Sequence, residues 1–191
     1  MERVEELIYY NFQNRRPYAS FFEWKNPDDP SLGKKIKERG IVCDLIESLE
    51  KDTGQPLFKA VRYGEDPPDS VATDTLGNSI GFEVTELVDQ RTIEARCRGF
   101  GERKEWKTGE LLNMLNDILW DKSLKLKKSS YTRNILVIYT DEPDLRRNFC
   151  NYEIENSKHW FEKAPNIDEA FLLFSYIPGK EKYPYLKLNF R

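Results

Sequence analysis

Apolar residues recur at helical spacing in four parts of the chain. Helices are predicted over residues 3–14, 33–52, 105–127 and 144–162. The second helix carries Val42, Leu45 and Ile46 on one face, and the third carries Leu115 and Leu119. Apolar stripes of this kind are typical of helices that pack with one side against a core.

Shorter runs of β-branched and aromatic residues predict strands between and after these helices. The strands cover residues 57–63, 70–74, 79–87, 134–139, 169–176 and 185–190, the last at a sheet edge. Gly77 marks the turn between the second and third strands. The order is helix, three strands, helix, strand, helix and a strand pair. It predicts an α/β fold in which a mixed β-sheet is flanked by helices on both faces.

The length of 191 residues predicts a single domain over residues 1–191. We expect residues 1–32 to form an N-terminal helix and irregular arm, and residues 33–140 to form the core. Residues 141–191 add a C-terminal helix and a strand pair.

Charge and cysteine content narrow the range of functions. The net charge is −3, so any affinity for nucleic acid must come from local basic patches. Cys43, Cys97 and Cys150 form no CxxC pair, which argues against a zinc site and favours a reducing compartment. His159 is the single histidine, which argues against a Ser-His-Asp triad. No signal peptide or membrane-spanning run is recognisable, so we expect a cytoplasmic protein without a membrane partner.

Two carboxylates stand out because of their settings. Asp69 follows the Pro67-Pro68 pair, and Glu83 lies inside a strand that reads as buried. A buried carboxylate is costly unless it is paired or binds a metal. Two carboxylates one hairpin apart suit a hard cation such as Mg²⁺, which prefers oxygen ligands. Two simpler interpretations remain open: Pro-Asp is a common turn dipeptide, and Glu83 could pair with an arginine in the following loop.

Two further charged residues fall on apolar helix faces. Glu38 lies four residues before Val42 on the second helix, and Lys122 shares the face of Leu119 on the third. A carboxylate and an ammonium that both point towards the core would suit one buried polar cluster with Asp69 and Glu83. Alternatively, both side chains lie near helix ends and extend to water.

These residues, in this order of elements, resemble the PD-(D/E)XK nuclease superfamily, the restriction-endonuclease-like proteins. The family motif is Pro-Asp, a gap, then Asp or Glu, any residue and Lys. In this chain Pro68-Asp69 and Glu83-Val84-Thr85 stand in those places. The resemblance covers roughly residues 34 to 140 and implies an α-β-β-β-α-β core, to which the C-terminal helix and strands are additions.

The resemblance also implies a function and a metal. Proteins of this family bind Mg²⁺, or Mn²⁺ in its place, and cleave phosphodiesters. Asp69, Glu83 and the Val84 carbonyl would be the metal ligands, and Glu38 is the candidate for the glutamate that often joins the site from the preceding helix.

Thr85 departs from the family pattern, because it replaces the lysine that orients water and steadies charge on the phosphate. A threonine cannot supply a positive charge. In some members of the family the lysine comes from the following helix, and Lys122 is the candidate here. Lys104 and Lys107 are weaker choices.

Three basic clusters are candidates for contacts with nucleic-acid phosphates. They are Lys34, Lys35, Lys37 and Arg39; Arg96, Arg98, Arg103, Lys104 and Lys107; and Lys122, Lys125, Lys127, Lys128 and Arg133. Such clusters are also common on solvated helix faces.

Three functions are therefore open at the level of sequence. The first is a Mg²⁺-dependent nuclease that acts on DNA or RNA. The second is a catalytically inactive nuclease-like fold that binds nucleic acid or a protein, as an immunity or antitoxin protein does. The third is a structural subunit whose final strand pairs with another chain. Glu83, Glu38 and Lys122 favour the first, whereas the pI of about 5.5 and Thr85 favour the second.

Overall fold

The computed structural model describes residues 30–65, 67–89, 106–107, 109–126, 131–140, 145, 147–156, 161–175 and 180–191. The helices in these ranges are α1 (Pro30–Thr53), α2 (Glu110–Lys125) and α3 (Arg147–Asn151), the last followed by a π-helical turn (Tyr152–Asn156). The strands are β1 (Phe58–Tyr63), β2 (Ser70–Asp74), β3 (Ser79–Glu86), β4 (Arg133–Thr140), β5 (Glu169–Phe174) and β6 (Tyr185–Leu188). Among the described residues, no helix combines the length and the apolar character needed to cross a bilayer.

The six strands form one sheet in sequence order. β1, β2 and β3 are antiparallel neighbours, β4 is parallel to β3, β5 is parallel to β4, and β6 is antiparallel to β5. Parallel neighbours need a crossover connection, and α2 lies in the connection between β3 and β4. The predicted α/β class with a mixed sheet is confirmed.

Each face of the sheet has its own apolar core, because successive strand residues point to opposite sides. On one face Ile135 of β4 packs with Leu45 of α1. On the other face Leu136 of β4 packs with Leu115 of α2 and Cys150 of α3. The helices therefore cover both faces, with α1 on one side and α2 and α3 on the other.

β2 and β3 separate partway along β3. The pairing of β3 with β2 covers residues 79–82, whereas its pairing with β4 covers residues 80–86. The last part of β3 thus has no ladder with β2, and its backbone groups on that side need other partners. We call this opening the β2–β3 gap.

The largest differences from the sequence prediction are at two helix boundaries, whereas the first described helix begins three residues earlier than predicted. α2 begins at Glu110 rather than at residue 105, because Gly109 has a φ of 81°, a left-handed conformation that a right-handed helix does not include. The predicted helix 144–162 is also shorter. The π-helical turn ends at Asn156, and Phe161 forms a bridge with Phe190 instead. The helix predicted over residues 3–14 lies outside the described residues.

Candidate active site

Asp69 lies at the β2–β3 gap, immediately before β2. Ser70 is opposite Phe82 in the antiparallel register, so one further step along both chains places Asp69 opposite Glu83. The Asp69 carboxylate takes the place of a strand neighbour there, because its Oδ2 accepts a hydrogen bond from Val84 N–H at 2.7 Å. Asp69 and Glu83, the two carboxylates predicted to bind a metal, are therefore neighbours across the β2–β3 gap.

Glu83 points to the α2 side of the sheet, where it meets Lys122. Phe82 and Val84 pack into the core on the α1 side, so Glu83 faces the opposite way. Lys122 Nζ lies 2.7 Å from Glu83 Oε1, and the two side chains are 20% and 7% exposed respectively. Lys122 therefore forms a largely buried ion pair instead of extending to solvent.

The Val84 peptide connects the two halves of this cluster. Its N–H donates to Asp69, and its carbonyl oxygen lies 3.3 Å from Lys122 Nζ. The N–H and C=O of one strand residue point to the same side of the strand, so Asp69 and the ammonium both lie on the open side of β3. An ammonium thus contacts two of the three groups predicted to bind a divalent cation: Glu83 and the Val84 carbonyl.

Glu38 approaches from α1, and its neighbour fixes this part of the helix on β1. Arg39 Nε donates to Val61 O at 3.2 Å, and its guanidinium lies 5.3 Å from the centre of the Tyr63 ring. Glu38 itself is 4% exposed and forms an ion pair with Lys34 at 3.2 Å. The apolar-face position predicted from the sequence therefore buries the carboxyl group.

The electrostatics of Glu38 connect it to the other two acids. Burial raises the pKa of Glu38 to about 7; the negative charge of Asp69 and, more weakly, that of Glu83 act in the same direction, while Lys34 opposes them. The charges of both acids act on Glu38, so the three carboxyl groups share one electrostatic environment. Glu38 is partly protonated at neutral pH, and positive charge brought nearby would favour its ionised form.

Glu38→Gln is expected to remove a pH dependence of stability. The pKa is about 7 in the folded protein against an ordinary value of 4.5, so the folded state binds the proton more tightly. The associated stabilisation is complete below pH 4.5 and is lost as the pH rises through about 7. The loss reaches up to about 3 kcal/mol, since one pKa unit corresponds to about 1.4 kcal/mol.

Urea unfolding at about pH 5 and about pH 8, without divalent cations, measures this difference. Glu38→Gln should show a clearly smaller difference than the wild type. Glu162→Gln, an exposed position away from this helix, should behave like the wild type. Glu47 is unsuitable as the control, because burial and, as a smaller contribution, the negative charge of Glu47 raise the pKa of Asp44 to about 7. A Glu38→Gln variant that keeps the full wild-type difference would contradict the assignment.

Gly64 holds the backbone of Asp69 in place. Its N–H donates to Asp69 O at 3.0 Å. A Cβ at this position would lie 1.8 Å from Pro68 O, so any larger residue must displace the chain. This close approach fixes the segment from which the Asp69 carboxylate reaches the gap. The sequence analysis did not single out Gly64, although a glycine shortly before a Pro-Pro pair indicates a tight turn.

Gly64→Ala is expected to destabilise the protein by about 1–3 kcal/mol, because the added methyl group must displace backbone atoms. Gly40→Ala is the matched control. Among the described residues, no atom beyond the adjoining turns of the helix lies within 4 Å of a Cβ built at Gly40. Alanine is also favoured over glycine inside a helix by up to about 1 kcal/mol. Urea unfolding of both variants checks the contrast. Equal stability of Gly64→Ala and wild type would mean that the close approach is absent.

Thr85 occupies the position of the motif lysine and carries no positive charge. Lys122 of α2 places an ammonium at Glu83. Of the weaker choices, Lys107 is exposed, and its backbone groups bond with Glu110. The second weaker choice and several other predicted phosphate contacts lie outside the described residues: Lys104, Arg96, Arg98, Arg103, Lys127 and Lys128.

The remaining basic residues divide into two groups. Arg39 is engaged with β1, as described above, and Arg133 pairs with Glu169 at 2.7 Å. Lys37 is half-buried. Lys34, Lys35 and Lys125 are exposed, although Lys34 also forms the ion pair with Glu38. Those three are the ones best placed for contact with a phosphate backbone.

The donor atoms at the gap suit a hard divalent cation. Mg²⁺ is usually bound by one or two carboxylates together with water and substrate phosphates, and Asp69 and Glu83 provide two. Among the described residues, no group of three or more His, Cys, Asp or Glu side chains is arranged to hold a metal ion. Glu38 therefore does not complete a ready-made site of three carboxylates. A cation at Glu83 and the Val84 carbonyl would compete with Lys122 for the same oxygen atoms.

Comparison with known proteins found no matching family model, no significantly similar curated protein and no significantly similar solved structure.

Proposed function

We propose that this protein is a divalent-metal-dependent nuclease that hydrolyses phosphodiester bonds at Asp69, Glu83 and Lys122. The observation that carries the proposal is the meeting of two carboxylates and one ammonium around the Val84 peptide. Phosphodiester hydrolysis needs anionic ligands for a cation and positive charge near the phosphate. Both are present within one hydrogen-bonded cluster.

The chain topology supports the same proposal. α1, β1, β2, β3, α2 and β4 follow the α-β-β-β-α-β order of the restriction-endonuclease-like core. In this arrangement the Pro-Asp element and the Glu-Val-Thr strand become neighbours through the antiparallel register of β2 and β3. The candidate lysine arrives from the helix that follows them.

The residues would act in distinct ways. Asp69 and Glu83, with the Val84 carbonyl, would hold Mg²⁺ or Mn²⁺. The cation, when bound, polarises the phosphate and lowers the pKa of the attacking water. Lys122 keeps Glu83 in place and supplies positive charge where a phosphate would lie. Glu38 adds a carboxyl group that ionises near neutral pH beside the two ligands.

Calorimetric titration with Mg²⁺ and Mn²⁺, combined with cleavage assays on labelled DNA and RNA, tests the proposal. We expect saturable metal binding and metal-dependent cleavage of at least one substrate, with both signals lost in EDTA. A protein that binds neither metal, or cleavage that persists in EDTA, would contradict it. The variants that locate the activity at this site are described in the Discussion.

One observation favours the alternative of an inactive, nuclease-like binding module. Lys122 already contacts Glu83 and the Val84 carbonyl, and Thr85 leaves the strand without the motif lysine. In that case the ammonium is a permanent counter-ion, and the fold binds nucleic acid or a protein partner of the immunity or antitoxin type. Substitution of Lys122 distinguishes the two functions. Only a nuclease requires a divalent cation to bind the oxygen atoms that the Lys122 ammonium contacts.

A further inference from the structure

A cavity of about 420 Å³ lies where β4 and β5 begin. Its polar and aromatic lining comes from Tyr131, Thr132, Asn134, Lys163, Asn166 and Asp168. Sites for small ligands typically have volumes of about 300–1,000 Å³. None of these residues belongs to the candidate active site.

The cavity is adjacent to the carboxylates, on the same face of the sheet. Gly81 precedes Glu83 by two residues, so both positions face α2. A Cβ on Gly81 would lie 3.0 Å from Asn134 Oδ1 and 3.3 Å from Tyr131 Cδ2, two atoms of the cavity lining. It would also lie 3.2 Å from Pro68 Cγ, on the side of the active site. The missing side chain at Gly81 therefore lets Asn134 and Tyr131 of the cavity lining pack closely beside Pro68, which precedes Asp69.

α2 provides a second connection between the cavity and the active site. Asn166 Nδ2 donates to Ser123 O at 3.2 Å. Ser123 directly follows Lys122, whose ammonium contacts Glu83. β3 and α2 thus each connect the cavity lining with the active site.

Two hydrogen bonds join Asp168 and Asn134 in the cavity lining. Asp168 Oδ2 accepts from Asn134 N–H at 2.8 Å, and Asp168 N–H donates to Asn134 O at 2.9 Å. Asn166 has a φ of 63°, a left-handed conformation that asparagine adopts more readily than most residues. Walls fixed in this way reduce the entropy lost when a ligand binds.

The chemistry of the lining fits a nucleotide. The Tyr131 ring offers a face on which a base can stack. Lys163 is exposed at the rim, where an ammonium attracts phosphate. Bases within a double helix are stacked and paired, so the occupant must be an unpaired base.

We propose that this cavity binds one unpaired nucleotide of the nucleic acid that is cleaved at Asp69 and Glu83. The proposal rests on the nuclease function and defines its substrate class: a single strand, or a duplex with an unpaired nucleotide beside the scissile phosphate.

Fluorescence anisotropy in EDTA tests the proposal without any cleavage. It compares a labelled single-stranded oligonucleotide with the same sequence as a duplex. Tyr131→Ala and Lys163→Glu should each weaken binding of the single strand about tenfold and change binding of the duplex by less than about twofold. Tyr131→Phe keeps the ring and should bind like the wild type. Lys180→Glu reverses another exposed lysine, in the connection that follows β5, and should change neither affinity.

Loss of the preference for single strands in the two cavity variants supports the proposal. A wild-type protein that binds no nucleic acid, or cavity variants with unchanged affinity for the single strand, would overturn it. The two proposals can fail separately. If cleavage depends on Asp69 but binding is unaffected by the cavity variants, only the cavity proposal fails. If binding depends on the cavity residues but no substrate is cleaved, nucleotide binding by the cavity is supported and the nuclease function is contradicted.

Discussion

Asp69→Asn is expected to abolish metal-dependent cleavage while the protein stays folded. Asparagine retains an oxygen that can accept the hydrogen bond from Val84 N–H, but it lacks the charge that attracts a cation. Loss of one charge-stabilising group costs about 10²–10³ in kcat, and loss of the metal costs more. Single-turnover cleavage in Mg²⁺ and calorimetric metal titration both measure the effect.

Two further variants separate charge from structure. Asp69→Ala removes the hydrogen bond as well as the charge, so it should also lower stability. Glu50→Gln is the matched control, because Glu50 Oε1 likewise accepts backbone N–H bonds, from Leu57 at 2.7 Å and Phe58 at 3.1 Å. We expect Glu50→Gln to cleave at the wild-type rate. If Asp69→Asn cleaves at the wild-type rate, the nuclease site does not lie at the β2–β3 gap.

Lys122→Met is expected to lower the free energy of unfolding by about 3–5 kcal/mol, because it leaves the buried Glu83 without the charge of Lys122. If the protein is a nuclease, millimolar Mg²⁺ should restore part of this stability, since the cation can take the contacts that the ammonium leaves. Cleavage should nevertheless fall. Urea unfolding with and without Mg²⁺ gives the stability, and single-turnover cleavage gives the activity.

The double variant Glu83→Gln with Lys122→Met should lose less stability than Lys122→Met alone and should not respond to Mg²⁺. Lys51→Met removes an exposed ion pair with Glu47 and should cost less than about 1 kcal/mol. If Mg²⁺ fails to stabilise Lys122→Met, the ammonium is a structural counter-ion, and the binding-module function is favoured.

The features that local geometry determines could be predicted from the sequence. Strand alternation places Glu83 on the face opposite Phe82, and the i, i+4 repeat places Glu38 and Lys122 on inward-facing helix stripes. The turn at Gly77, where φ is 91°, sets the register that brings Asp69 opposite Glu83. These features account for the pairing of β2 with β3 and for the sides on which the four candidate residues lie.

The partners of those residues could not be predicted, because they depend on contacts between distant parts of the chain. The pairing of Lys122 with Glu83 depends on how α2 packs on the sheet. The residues next to Lys122 or Glu83 in the sequence do not determine this packing. The same applies to Gly64, whose importance comes from the carbonyl of Pro68. It applies equally to Arg39, a predicted phosphate contact, whose hydrogen bond to Val61 could not be read from the sequence.

The parallel pairing of β3 with β4 affects the order in which the site assembles during folding. Asp69 and Val84 are 15 residues apart, so an early β1–β2–β3 meander can already bring the acidic side chains together. Lys122 lies 39 residues from Glu83, beyond a crossover that closes only when α2 packs on the sheet. Until that step two anionic groups face each other without their basic partner. Dissolved salt screens their attraction for the incoming ammonium, so the final docking of the helix should slow as the ionic strength rises.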